Sequence, residues 1–556
     1  MVRMNLPPRG VRRSLLLGGL GALLPWRNGA AAAGDGAEGA ASRRSDVASP
    51  ANPNRGPATG PVDAAPIRSP YLGINLAGLA YYANQFPFAD LMKTSGGWSL
   101  RSKRGGQAGT VRLTPDGWPA ALGPEEQAAA AVGWDAAGYP TGEYVVRWDG
   151  EGELGFPGLR GRVVSRAPGR IVIEVRDASS QLWVTIDRTR VENPVRNVRF
   201  FWPGTEATAA RSSFNPLFLR RIAPFSTLRF MDWGMTNGSS LAHWSDRPRL
   251  DDVAYTQRGA PLEAMIELAN TLQADPWLCL PHLADDDFVR QYAQMIRERL
   301  DPRRVASIEY SNEVWNLGFE QARFAAAQSK QRGLPTPHGF GSAYYAERTR
   351  QVAKIFDEVF GARERGRWLA VFAGQAAWTQ FSEHGLGWKD TAAQVDVLAI
   401  APYFQAAAAN DPKNAAQTLT LTPEQVMAQM RASIAGEVRS RIAQNAALAR
   451  RHKLKLRGYE GGAHDTASQF PGPQHDPITA VLAAAHRDPA MRAIYRDYVD
   501  EWIRGGGELL NQYHDIGKGS KWGFWGVLET VTQDPESAPK YLGLLDAIAA
   551  HPALAR

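Results

Sequence analysis

The chain has 556 residues, 44% of them hydrophobic and 21% charged, which excludes a disordered or fibrous protein and leaves room for one large domain plus a smaller module. Its formal net charge of +7 is spread along the sequence without a Lys/Arg block in the folded part, so nucleic acid is not an expected partner. The lone cysteine, Cys279, excludes an intramolecular disulfide, and its place in the apolar run Pro276 to Pro281 makes it a buried core thiol.

Taken in order, residues 1–33 read as an export signal. Arg12 and Arg13 precede an apolar, Gly-containing run that ends at Pro25, and Ala30 to Ala33 offer small residues for cleavage. The Arg pair and the mild hydrophobicity resemble a twin-arginine signal, with an ordinary secretory signal as the competing reading. The run is too short to span a bilayer. An exported protein, periplasmic or extracellular and without a membrane span, is therefore expected. Residues 34–67 are rich in Ala, Gly, Pro and Ser, show no periodicity, and read as a disordered linker.

Residues 68–104 open the folded part. Tyr71 to Asn75 predicts a first strand, Tyr81, Tyr82 and Phe86 a loop suited to wall a cleft, and Phe88 to Lys93 a short helix. Over 105–203 short β-rich runs are separated by Gly, Pro and Asp: Thr110 to Leu113, Gly142 to Trp148, Arg162 to Ser165, Ile171 to Arg176 and Leu182 to Ile186. That spacing predicts a β-sandwich-like module inserted after the first strand. No cluster of aromatics stands out from its alternation, which favours a bracing role over sugar binding.

From 204 to 556 strand and helix signals alternate, the pattern of a parallel sheet. Strands are expected at Thr227 to Met231, Pro276 to Pro281, Val305 to Tyr310, Trp368 to Phe372, Val395 to Ala401, Lys453 to Gly458 and Leu509 to Tyr513. Helices are expected at Pro261 to Gln273, Asp285 to Leu300, Phe319 to Gln331, Ser342 to Phe360, Thr422 to Arg451 and Pro489 to Arg504. With Tyr71 to Asn75 the strands number eight. The fold class is therefore α/β, a (β/α)8 barrel interrupted by one β-rich module. In such a barrel the site forms at the C-terminal ends of the strands.

Two of those ends carry distinctive chemistry. The fourth strand stops being core-like at Asn312, Glu313, Trp315 and Asn316. A carboxylic acid can protonate a glycosidic oxygen, an amide can bond a sugar hydroxyl, and an indole offers a flat apolar face. The seventh strand delivers Tyr459 and Glu460 into a glycine pair. Glycosidases of both stereochemical outcomes need two carboxyls flanking one bond. Asn312-Glu313 followed by the distant Glu460 resembles clan A of the glycoside hydrolases, the (β/α)8 retaining enzymes. The resemblance covers roughly Pro70 to the C-terminus, with one insertion.

The resemblance implies Glu313 as acid/base at the end of strand four and Glu460 as nucleophile at the end of strand seven. It implies that Arg229 holds Glu460 ionised and that Tyr403, after strand six, touches it. It also implies that a Trp after strand eight, Trp522 or Trp525, floors the sugar site. Asn312, Trp315 and His282 are further expected substrate contacts, with His464 and Asp465 weaker candidates. Asp285, Asp286 and Asp287 read as a helix start rather than a metal site. No metal or organic cofactor is expected, since the sequence lacks HExxH, paired CxxC and a phosphate-binding glycine loop. The expected function is hydrolysis of a poly- or oligosaccharide by a monomer, with retention. A transglycosylase and a non-catalytic polysaccharide-binding or assembly protein of the cell envelope are the alternatives. Retention of two carboxyls argues against the binder.

Overall fold

The computed structural model describes residues 68–134 and 138–552; the expected export signal and linker lie outside the described residues. Eight strands form a closed barrel: β1 (Ser69–Asn75), β2 (Phe225–Arg229), β3 (Asp275–Leu280), β4 (Ala306–Tyr310), β5 (Trp368–Ala373), β6 (Val397–Ile400), β7 (Lys455–Gly458) and β8 (Leu509–Gln512). Each pairs with the next in parallel, and β8 returns to β1 through Leu72↔Leu510 and Ile74↔Gln512. The expected (β/α)8 barrel is the fold of the chain.

Alternation along each strand divides the core in two. Trp277 and Cys279, Val371 and Ala373, and Val397 and Ala399 cluster together inside the barrel. Their neighbours Leu278, Leu280, Phe372, Leu398 and Ile400 join the core shared with the outer helices. Both faces are buried, as parallel strands covered by helices require. The register then fixes where polar residues can go. Glu309 pairs with Cys279 and with Val371, and Arg229 pairs with Trp277, so both side chains share the inner face.

The expected helices form within a few residues of their predicted ends, as Leu262–Leu272, Asp286–Arg299, Glu320–Gln331, Ser342–Glu364 and Met491–Arg504. The long one runs as Pro423–Ser433, a π-turn over Ile434–Val438, and Arg439–Arg451. Asp285 caps the second of these, its carboxylate accepting from Phe288 N at 2.7 Å, which is the helix-start role expected of it. In place of a helix over Phe88 to Lys93 there is the 3-10 turn Leu91–Thr94, which Asp90 caps by accepting from Met92 N.

Two antiparallel sheets lie between β1 and β2. One orders Arg196–Phe201, Gly142–Asp149, Arg170–Val175 and Gly161–Ala167; the other orders Gln107–Gly109, Ser99–Ser102, Glu126–Gly133, Leu182–Thr189 and Gly152–Gly155. Phe156 meets Phe200 edge-on across them, with centroids 6.2 Å apart. Thr110 to Leu113 is not a strand: only Val111 is buried, and Leu113 makes a lone bridge to Pro119. Asp90 ties the module to the segment after β1, accepting from Phe200 N at 2.9 Å, while Trp202 N donates to the Ala89 carbonyl at 2.9 Å. Among the described residues, no helix is long and apolar enough to cross a membrane.

Candidate active site

β4 and β7 each end in a buried glutamate. After Tyr310 the chain turns through Ser311 and Glu313 with φ of 63° and 45°. Non-glycine residues in the left-handed region store strain, and such strain concentrates at functional sites. The turn leaves Glu313 buried, with Oε2 accepting from Asn316 Nδ2 at 3.0 Å and Oε1 accepting from the Tyr459 hydroxyl at 3.4 Å. Trp315 Nε1 in turn donates to the Tyr459 hydroxyl at 3.2 Å. After β7, Glu460 is followed by Gly461, packed against Tyr498, and Gly462, whose φ of 117° favours glycine. The glycine pair thus has a backbone reason, and it seats Glu460 at the mouth of the barrel.

Arg229, wholly buried at the end of β2, connects these residues. Its Nη1 donates to Glu460 Oε1 at 2.8 Å and to Asn75 Oδ1 at 2.9 Å. Its Nη2 donates to Asn312 Oδ1 at 2.8 Å and to Glu309 Oε2 at 2.9 Å, and Nε donates to the same Glu309 oxygen at 3.2 Å. Trp277 Nε1 donates to Glu309 Oε2 at 2.8 Å, and Cys279 Sγ lies 3.4 Å from it. Asn312 is fixed further: its Nδ2 donates to Asn237 Oδ1 at 3.0 Å, and its carbonyl accepts from Gln321 Nε2 at 2.8 Å. The Tyr403 hydroxyl donates to Glu460 Oε2 at 2.8 Å.

The two glutamates differ in what faces them. Burial pushes the Glu313 carboxyl up to about 8, and the charge of Glu460 adds to that push. Glu313 makes no ion pair among the described contacts. Burial holds Glu460 above the ordinary carboxylate range as well, and Arg229 and the Tyr403 hydroxyl oppose that push. Of the pair, only Glu460 is ion-paired, with Arg229 at 2.8 Å, an arrangement that favours its charged form. Asp232, two residues beyond Phe230 after β2, is raised to about 7, first by burial and then by the charge of Glu460. It accepts from the Tyr513 hydroxyl at 3.3 Å.

Arg229, Asn312, Tyr403 and Glu460 thus form one hydrogen-bonded group, and Glu313 and Trp315 a second one through the Tyr459 hydroxyl; Asn75 joins the two, its Oδ1 accepting from Arg229 and its Nδ2 donating to the Tyr459 carbonyl at 2.9 Å. The two tryptophans after β8 separate. Trp525 is half-buried, donates from Nε1 to His464 Nδ1 at 3.3 Å, and meets Tyr513 at 5.7 Å between centroids. Tyr513 meets Tyr403 at 6.3 Å, which links Trp525 to the residue holding Glu460. Trp522 is 55% exposed, with the Lys521 ammonium over its ring at 5.1 Å. His282 follows β3 but packs inward: its ring lies 5.2 Å from Phe324, and its carbonyl accepts from the Tyr310 hydroxyl at 2.7 Å. Asp465 is wholly buried and binds Ala406 N, Asn410 Nδ2 and His486, which is a structural role.

Sequence reasoning gave no role to Glu309, Asp232, Tyr459 or Tyr513. The signal for Glu309 is its inner-face position on β4, readable once the register with Cys279 is known. Among the described residues, no group of His, Cys, Asp and Glu is arranged to hold a metal.

No family model and no curated protein matches the sequence. Solved structures do resemble it. Xylanase 10B from Thermotoga petrophila RKU-1, crystallised with xylobiose, is 10% identical, with 60% of this chain and 88% of that one covered and a TM-score of 0.34. The xylanase 10B CBM22-1-GH10 modules of Clostridium thermocellum, complexed with xylohexaose, are 9% identical over 86% of this chain and 97% of that one, with a TM-score of 0.36. The hyperthermostable endo-1,4-beta-D-mannanase of Thermotoga petrophila RKU-1 is 14% identical over 59% and 94%, with a TM-score of 0.30.

Proposed function

We propose that this chain is an exported glycoside hydrolase that cleaves a poly- or oligosaccharide by double displacement with net retention. The observation that carries the reading is the contrast between two buried glutamates at the ends of β4 and β7. Among the described residues Glu313 accepts only from Asn316 and the Tyr459 hydroxyl, feels Arg229 at a distance and is pushed up to about 8, whereas Glu460 accepts from Arg229 and from Tyr403, each at 2.8 Å. Pairs of carboxyls whose surroundings separate their protonation behaviour are the mark of an acid and a nucleophile.

In the first step Glu313 gives its proton to the glycosidic oxygen while Glu460 attacks the anomeric carbon. Arg229 and Tyr403 orient Glu460 and keep it charged until the bond forms. Asn312, locked by Arg229 and Asn237, presents an amide where a sugar hydroxyl would lie. Tyr513 and Trp525 supply aromatic faces beside Tyr403. In the second step Glu313, now a base, takes a proton from water, which attacks the glycosyl-enzyme. Export is part of the proposal and rests on Arg12-Arg13 before the apolar run.

The test is the configuration of the sugar first released, followed by NMR during turnover of an active substrate. Retention supports the assignment of Glu460 as nucleophile. An inverted product overturns it, even if both glutamates prove essential.

A further inference from the structure

Aromatic side chains form a line leading outward from Glu460. Tyr403, Tyr513 and Trp525 stand in succession, and three residues before Trp525 comes the exposed Trp522. Trp522 and Tyr82, 55% and 59% exposed, are the aromatic members of the exposed large hydrophobic side chains among the described residues. The others are Leu and Val, four of them in the inserted module (Leu113, Val163, Val164 and Val191); these two lie on the loops that follow the adjacent strands β8 and β1.

The two loops are fastened together. Lys518 N donates to Asn84 Oδ1 at 3.1 Å, and Val531 N donates to the Asn84 carbonyl at 3.0 Å. The Lys521 carbonyl accepts from Ala467 N and Ser468 N, at 2.9 and 2.8 Å, which anchors the Trp522 segment to the loop that follows Glu460. Tyr81 lies against Tyr82 at 5.2 Å and against Trp134 at 5.8 Å. Trp134 directly follows the module strand Glu126–Gly133, so the inserted sheets back this rim.

A second aromatic site lies across the barrel. A cavity of about 380 Å³ is lined by His338, Phe340, Trp378, Gln380, Glu383 and His384. It falls within the range of about 300–1,000 Å³ typical of small-molecule sites. Trp378 follows β5 and meets Phe340 at 4.7 Å and His338 at 5.7 Å. His384 Nδ1 is 2.7 Å from Ser342 Oγ, which fixes the ring. Aromatic faces beside a carboxylate, an amide and an imidazole suit a sugar ring with its hydroxyls.

In the closed strand order the β8–β1 junction lies opposite β4–β5. A chain running from Trp522 to Trp378 therefore crosses the mouth of the barrel, over the glutamates that end β4 and β7. We propose that this face binds an internal stretch of a long polysaccharide, one arm on Tyr82 and Trp522 and the other in the Phe340–Trp378 cavity. Cleavage is then internal rather than from chain ends. The inference rests on the glycosidase reading for its chemistry but not for its binding surface.

The test uses the full chain carrying Glu460→Ala, run by affinity electrophoresis in gels containing xylan, galactomannan, β-1,4-galactan, mixed-linkage glucan or carboxymethyl cellulose. Retardation is expected in at least one gel. Adding Tyr82→Ala with Trp522→Ala, or separately Trp378→Ala, should weaken that retardation at least ~tenfold in apparent Kd. Thermal unfolding of each variant separates lost binding from lost fold, and Trp522→Phe should restore part of the binding. With the wild-type chain, viscosity of the retarding polymer should fall well ahead of the rise in reducing ends. Retardation that depends on the aromatics, without any product, sustains the binding surface and sinks the glycosidase reading. Hydrolysis of small aryl glycosides with no retardation in any gel sinks the binding surface and leaves the chemistry standing. Equal retardation of the aromatic variants and their parent also overturns the inference.

Discussion

Glu313→Gln separates protonation from geometry. In the folded chain the Glu313 carboxyl is raised from its ordinary value of 4.5 to about 8, chiefly by burial. Below pH 4.5 the group is protonated in both folded and unfolded states, and pH has no leverage through it. Between 4.5 and 8 the unfolded chain releases this proton while the folded chain keeps it, so wild-type stability falls as pH rises. The slope is about 1.4 kcal/mol per pH unit, and across this window the loss approaches a ceiling of ~5 kcal/mol. Gln cannot ionise, so the variant escapes that loss. It keeps an acceptor for only one of the two donors, Asn316 Nδ2 and the Tyr459 hydroxyl, which costs about 1–3 kcal/mol independent of pH. The measurement is urea unfolding of both proteins from pH 5 to 9. The difference, variant minus wild type, should start negative or near zero and climb by a few kcal/mol before levelling above pH 8. A difference that stays flat would mean that Glu313 is already ionised in the folded chain, and the acid assignment would fail.

Three other substitutions probe the same group. Glu460→Ala should cut turnover by ~10³-fold or more, and azide should restore part of it on an activated aryl glycoside; full retention of activity would remove Glu460 from the mechanism. Tyr403→Phe removes a donor that favours the charged form of Glu460, so the acidic limb of kcat/KM should move to higher pH by about one unit, read from a pH–rate profile; an unmoved limb would mean that this hydrogen bond does not tune Glu460. Arg229→Lys replaces a fork that reaches two carboxylates with a point charge, and should cost about 3–5 kcal/mol by chemical denaturation and slow turnover at least ~100-fold; a loss of stability below 1 kcal/mol would refute the view of Arg229 as the common partner.

The barrel was legible because buried parallel strands are nearly continuous apolar runs, and the segments Pro276 to Pro281 and Trp368 to Phe372 have no other reading. Glu126–Gly133 escaped notice for the opposite reason. Its run of four alanines carries little strand propensity, and it is held by pairing on both sides, with Ser99–Ser102 and with Leu182–Thr189. Likewise His475–Arg487 has an ordinary amphipathic pattern but follows a Gly/Pro-rich stretch that reads as loop. In the site, Glu313 stood out because it breaks off an apolar run at a strand end, and Glu460 because an alternating strand delivers it into a glycine pair. Glu309 lies inside its strand, one residue before Tyr310, where sequence offers no sign that the inner face is polar; only the register with Cys279 and Val371 reveals it. The pair Trp522 and Trp525 marks the limit of spacing arguments. Three residues apart, they part company because the turn bridging Ser520 and Gly523 leaves the first outside and sends the second against Tyr513.

The arrangement of charge explains why a single arginine suffices for so many acids. Arg229 gives one edge to Glu309, through Nε and Nη2, and leaves Nη1 for Glu460. Glu309 is further held by Trp277 Nε1, so the partner of the guanidinium is itself fixed from inside the barrel. Glu313 and Asp232 then lie in the field of Glu460 with no ion pair of their own among the described residues, and burial together with that field outweighs the charge of Arg229 and raises them to about 8 and about 7. The protonation of Glu313 is thereby tied to the charge of Glu460. In the proposed double displacement Glu460 would become an ester, its charge would disappear, and one of the two causes holding Glu313 protonated would go with it. Glu313 would then release its proton more readily at the moment the reaction needs a base to activate water. On that proposal one residue can serve both steps, because the nucleophile, by changing its own charge, changes the acidity of its partner.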